Sequence, residues 1–250
     1  MRSANPALNA KTFETHASPQ ARAAGEVMTL QGTVNKAGLM LIILLFTASV
    51  PWSRFFESGG TAPMGGWMAL GGIGGLVVAF ATIFKKHWAP ITAPLYAGLE
   101  GLLLGAVSAT FESMFPGIVM QAVSLTFAVA FALLMAYRSG LIKATENFKL
   151  GIAAATGGIM LVYVATMVLG FFGVSVPFIH ESGMIGIGFS LFVVTIAALN
   201  LVLDFDFIEH GAESGAPKYM EWFAAFGLMV TLIWLYLEIL HLLAKLQSRD

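Results

Sequence analysis

The residues of this chain that could do chemistry are carboxylates set in apolar sequence. Between Asn200 and His241 it reads NLVLDFDFIEHGAESGAPKYMEWFAAFGLMVTLIWLYLEILH, which places Asp204, Asp206 and Glu238 inside or at the edge of runs of Leu, Ile, Val, Phe, Met and Trp. An ionised side chain at the centre of a bilayer costs roughly 2.5 to 3.5 kcal/mol on insertion scales, so such a group reads first as part of an ion or proton path. Two carboxyls brought together where water is scarce do not both ionise easily, and the pair shares a proton. Loss of that proton leaves two negative groups that can hold a hard cation. Calcium accepts about six to eight oxygens in irregular geometry, which suits carboxylates, carbonyls and water better than magnesium's octahedron does. The chemistry expected is a pH-sensitive cation path, with Ca2+ held transiently by Asp204 and Glu238 and no resident cofactor.

Helical geometry decides which acids can meet. At about 100° per residue Asn200 and Asp204 share a face, whereas Asp206 is turned about 200° from Asp204. Asp204 is therefore the better inward acid, and Asp206 is free to reach the interface. Glu238 shares a face with Trp234 and His241. Depth is the difficulty, because straight helices leaving a turn near Ser214 separate Asp204 from Glu238 by roughly 20 Å. Two arrangements would remove the gap. Either Glu221 is the true partner, or residues 218–227, KYMEWFAAFG, form a surface helix ended by Gly227 and the crossing begins near Leu228. Pro217, Tyr219, Glu221 and Trp222 suit an interfacial segment, and the second arrangement is preferred. Packing is the alternative role for these acids, although three in one hairpin exceed what packing needs. No Lys or Arg lies in the middle of a span, so a buried arginine latch is unavailable; only His241 is a nearby cationic candidate, and it also suits an interface.

The elements that must position these acids follow from composition. The chain is 58% hydrophobic and 11% charged, against about 45–50% and about 25% in soluble domains, and that excess cannot be hidden in one soluble core. Seven apolar stretches, at about 37–56, 65–84, 89–110, 118–137, 150–172, 183–208 and 220–245, approach the ~20 residues that cross a bilayer. They are continuously apolar, as helices are, and do not alternate as barrel strands do. The fold class is all-α: a polytopic membrane protein, a bundle of seven transmembrane helices over 36–246, after a polar tail at 1–35 and before a short tail at 247–250. Residues 1–35 lack a short apolar core, so no cleaved signal peptide is expected. The absence of cysteine excludes disulfides and thiolate metal sites, and no basic stripe points to nucleic acid.

Ten of the thirteen Lys and Arg residues fall on the side shared by the N-tail and the loops near Lys85, Lys143 and Lys218. Positive residues are retained in the cytoplasm, which puts the N-terminus inside. Gly71 and Gly75 of the second span, and Gly98, Gly101, Gly105 and Ser108 of the third, let neighbouring helices approach closely, so these two spans should pack together. Glu100, halfway along the third span, is either a hydrogen-bonded packing carboxyl or part of the ion path; Glu112, at its end, is either interfacial or a secondary member of that path, as are Asn200, Glu221 and His241. Thr156, Tyr163 and Thr166 read as helix-joining groups. His180 reads as a solvated loop residue. Ser190 has no evident base, so no enzyme is expected.

At these residues the sequence resembles the Bax inhibitor family, also called the transmembrane Bax inhibitor motif family, in its bacterial YccA-like branch. The likeness rests on LVLDFDFIE at 201–209, LYLEIL at 235–240, YAGLEGLLLGAVSATFE at 96–112, and seven spans after a polar tail. The resemblance implies a seven-helix bundle around the last helix and a calcium leak gated by protonation of an acidic pair from helices six and seven. Carried over, the helix-seven acid is Glu238, where relatives usually have Asp, and the helix-six acid is Asp204, with Asp206 next. The segment between the two acids is about ten residues longer than the family pattern, which is the depth difficulty again. The resemblance also implies a bacterial cytoplasmic membrane, and a second role as regulator of a membrane-bound ATP-dependent protease contacted through the N-tail.

Overall fold

A computed structural model describes residues 27–172 and 183–248. Residues 1–26 of the expected tail, the loop at 173–182 with His180, and the last two residues lie outside them. Among the described residues are seven long helices: α1 Leu30–Glu57, α2 Gly65–Phe84, α3 Ala89–Met114, α4 Ile118–Arg138, α5 Glu146–Phe171, α6 Met184–Glu213 and α7 Met220–Gln247. A 3-10 turn, Lys86–Trp88, precedes α3. Every helix is long and apolar enough to cross a membrane, and no strand occurs among the described residues beyond one isolated bridge, Val27 to Pro217. The chain is an all-α, seven-helix membrane protein.

Two boundaries differ from the sequence reading. Helix α1 starts at Leu30, so six residues assigned to the polar tail are helical. Thr29 is the reason: its backbone is extended and its hydroxyl accepts the Gly32 N–H at 3.0 Å, capping the first turn. The preferred surface helix at 218–227 does not exist. Helix α7 runs unbroken from Met220 through Gly227, and Met220, Phe223, Ala224 and Phe226 are buried. Burial of that apolar face outweighs the roughly 1 kcal/mol that glycine costs a helix interior.

The chain divides into two compact units. One holds Met120–Phe205 and the chain from Thr231; the other holds the described chain through Val119 and Asp206–Val230. In the second unit α3 packs on both α1 and α2. A Cβ on Gly71 would stand 2.6 Å from the Leu103 nitrogen and the Leu99 carbonyl oxygen, so only glycine lets α2 lie against α3 there. Gly101 and Gly105 of α3 face the carbonyls of Leu44 and Ala48. The seam expected to join α3 to α2 is thus shared, with Gly71 and Gly75 serving the α2 contact and Gly101 and Gly105 admitting α1.

In the first unit, Ile152 and Ile159 of α5 form a cluster with Val193, Ile196 and Leu203 of α6, flanked by Phe148, Tyr163, Phe189 and Trp234. The three-and-seven spacing on α6 gives one continuous apolar face. That face positions the polar groups described next.

Candidate functional site

Glu238 is the best-defined acid of the first unit. It is buried on α7, and its Oε1 accepts the Tyr163 hydroxyl of α5 at 2.8 Å and the indole N–H of Trp234, one turn back on α7, at 3.2 Å. Both donors are neutral and both reach the same oxygen. Tyr163, which the sequence reading took for a helix-joining group, is held edge-on against Phe189 at 6.3 Å, so α5 and α6 together aim its phenol at the carboxyl.

Asp204 is fully buried on α6. One turn before it, the Asn200 amide donates to Thr156 of α5 at 2.9 Å and to the Ile196 carbonyl at 2.8 Å, fixing that face of α6. Asp204 is not among the hydrogen-bond partners of Glu238. The register explains this. Lys245, near the end of α7, donates to Ser190 Oγ at 2.8 Å and to the Gly186 carbonyl at 3.3 Å, near the start of α6, so the helices run antiparallel. Asp204 lies fourteen residues after Ser190 and is level with about Thr231, seven residues from Glu238, or roughly 10 Å at 1.5 Å per residue. The two acids stand at successive depths along α6 and α7.

Glu221, the alternative partner, sits in the second unit in a different setting. It is fully buried, and Lys36 and Lys218 both pair with it, Lys218 at 3.1 Å. Its Oε1 also accepts the Thr29 N–H and hydroxyl, each at 2.9 Å. A side chain at Gly32 would overlap its carboxyl. The Met28 N–H donates to the Ala216 carbonyl at 2.7 Å, and Lys36 lies 5.6 Å over the Trp222 ring. Glu221 therefore clasps the start of α1 to the loop before α7, and its charge is spent on lysines.

The remaining candidates separate by local contacts. Glu100 is buried, faces Gly75, and hydrogen-bonds with Tyr96 one turn earlier. Glu112 accepts the N–H groups of Gly117 at 2.6 Å and Val119 at 3.0 Å, capping the start of α4. Asp206 is mostly buried in the second unit, 3.4 Å from His210 Nδ1. His241 is exposed. Ser190 does have an amine beside it, contrary to the sequence reading; Lys245 reaches it because a helical side chain leans toward the N-terminus of its own helix.

Among the described residues no group of three or more His, Cys, Asp or Glu side chains could hold a metal ion. A comparison with individual curated proteins gives no match. The model of the family described as Bax inhibitor 1 like matches residues 5–248, nearly the whole chain. With seven membrane-length helices and buried acids on the last two, the chain belongs to the Bax inhibitor 1 like family of membrane proteins.

Proposed function

We propose that this protein is a pH-sensitive calcium leak of a bacterial cytoplasmic membrane, with its N-terminus inside, and that Asp204 and Glu238 are its controlling carboxyls. The observation that carries the reading is the setting of Glu238, a buried acid among apolar side chains whose hydrogen-bond donors are a phenol and an indole. Neutral donors orient the carboxyl without cancelling the charge of its ionised form, so the carboxylate still attracts a cation. Protonation removes that attraction and closes the station. Because Tyr163 and Trp234 both bind Oε1, the other oxygen remains for a calcium ion, with water and carbonyls completing its shell.

Asp204 forms a second station on α6. The roughly 10 Å between the stations is too far for one proton or one calcium ion to bridge, since calcium–oxygen distances are about 2.3–2.6 Å. The ion moves from one carboxylate to the next, and flux rises with pH because both must be ionised.

Calcium flux into proteoliposomes at about pH 6 and about pH 8, on either side of neutrality, tests the reading. Wild-type flux should rise with pH, and Glu238→Gln and Asp204→Asn, which cannot ionise, should each hold flux near the wild type's low-pH level at both pH values. Absence of flux from the wild type and from every variant at both pH values would overturn the leak and favour the regulator of a membrane-bound ATP-dependent protease. That alternative predicts loss of protease binding on deletion of residues 1–26. The deletion stops there because Met28 and Thr29 hold the start of α1.

A further inference from the structure

Lys245 is a cation on the same face of α7 as Glu238. Seven residues separate them, which is about 20° short of two full helical turns. The ammonium rests on neutral acceptors of α6, the Ser190 hydroxyl at 2.8 Å and the Gly186 carbonyl at 3.3 Å, and Ser190 is itself buried. A lysine that only needed water could extend off the end of α7, two residues away; this one is drawn inward across the α6–α7 contact.

We infer that Lys245 is the charge gate at this end of the path, a fixed ammonium that a cation must pass between Glu238 and the membrane face at Gly186 and Ser190. The inference rests on the proposed leak and adds a residue that sets its rate and its preference against cations. On Ser190 and Gly186 the ammonium stands across the end of the path. Its positive charge opposes a divalent cation more than a monovalent one, because the repulsion scales with the product of the charges. The other titratable group on this stretch of α7, His241, is exposed, and the gate does not depend on its titration.

The test is calcium and potassium flux through wild type, Lys245→Gln and Lys245→Arg in proteoliposomes at about pH 8, where an ordinary lysine is charged. Lys245→Gln should raise calcium flux several-fold and potassium flux less, and Lys245→Arg should behave as wild type. Because the chain lacks cysteine, Lys245→Cys can be labelled at that position alone. A cationic thiosulfonate should return calcium flux to the wild-type level, and an anionic one should hold it high, which separates charge from any loss of folding. Calcium flux in Lys245→Gln equal to or below that of a conducting wild type would overturn the gate and leave the leak standing, as would identical flux with the two labels. Flux in Lys245→Gln but not in wild type would support a gate that is shut at rest. No flux in either would overturn both.

Discussion

Glu221 and Glu238 stand seventeen residues apart on one helix, and their surroundings give them opposite electrical lives. Glu221 is met by two lysines and by the capping threonine of α1, so its negative charge is matched and fixed. Glu238 is met by a phenol and an indole, which orient the carboxyl without discharging it. A buried carboxylate paired with cations reports on architecture, and one held by neutral donors keeps a charge available for a proton or an ion. Burial alone does not separate the two, since both are buried.

The largest expected effect falls on the clasp. Glu221→Ala would leave Lys36 partly buried without its partner; breaking a buried pair from one side costs about 3–5 kcal/mol, reduced here toward about 3 because Lys218 remains half exposed. A thermal unfolding scan in detergent should show a clear drop in midpoint, while the flux of the remaining folded protein should keep its pH dependence. Loss of pH dependence without loss of stability would erase the distinction between the two glutamates. Next is Gly101→Ala, whose added carbon would meet the Leu44 carbonyl of α1; overpacking of this kind costs roughly 1–3 kcal/mol and should appear in the same scan.

Smaller effects sharpen the other side of the comparison. Thr29→Ala removes a helix cap and one donor to Glu221, at about 1 kcal/mol of stability, with flux unchanged. Tyr163→Phe removes one neutral hydrogen bond from Glu238, worth about 1 kcal/mol. Its loss frees the carboxyl to turn, so calcium flux at a fixed pH should change while the unfolding midpoint moves by much less than in Glu221→Ala.

The seven helices were legible because each apolar run has the length of a membrane crossing and none alternates. The acids were legible for the same reason, as charges in the wrong company. Their partners were not. Tyr163 lies 75 residues from Glu238 and Lys36 lies 185 from Glu221, and nothing local in either sequence marks the contact. Gly227 misled because a glycine in an amphipathic stretch looks like a stop, whereas the buried faces of Phe223 and Phe226 carry the helix through it. The start of α1 was readable only in part: Thr29 is a residue type that caps helices, but the residues after it, LQGTVN, are neither an apolar run nor marked by an acid three positions on. Lys245 lies near the end of its span, where a lysine ordinarily meets water, and nothing local in the sequence marks its contact with Ser190, 55 residues away.

The most direct measurement is the infrared carboxyl signal of Glu238 in membranes, titrated over the pH range in which calcium flux changes and assigned by its loss in Glu238→Gln. A protonated carboxyl band that fades as pH rises, in step with the rise in flux, and shifts in frequency in Tyr163→Phe, is the predicted result. A band that does not change across the range in which flux changes would contradict the account, because Glu238 would then not be the group whose proton controls the path.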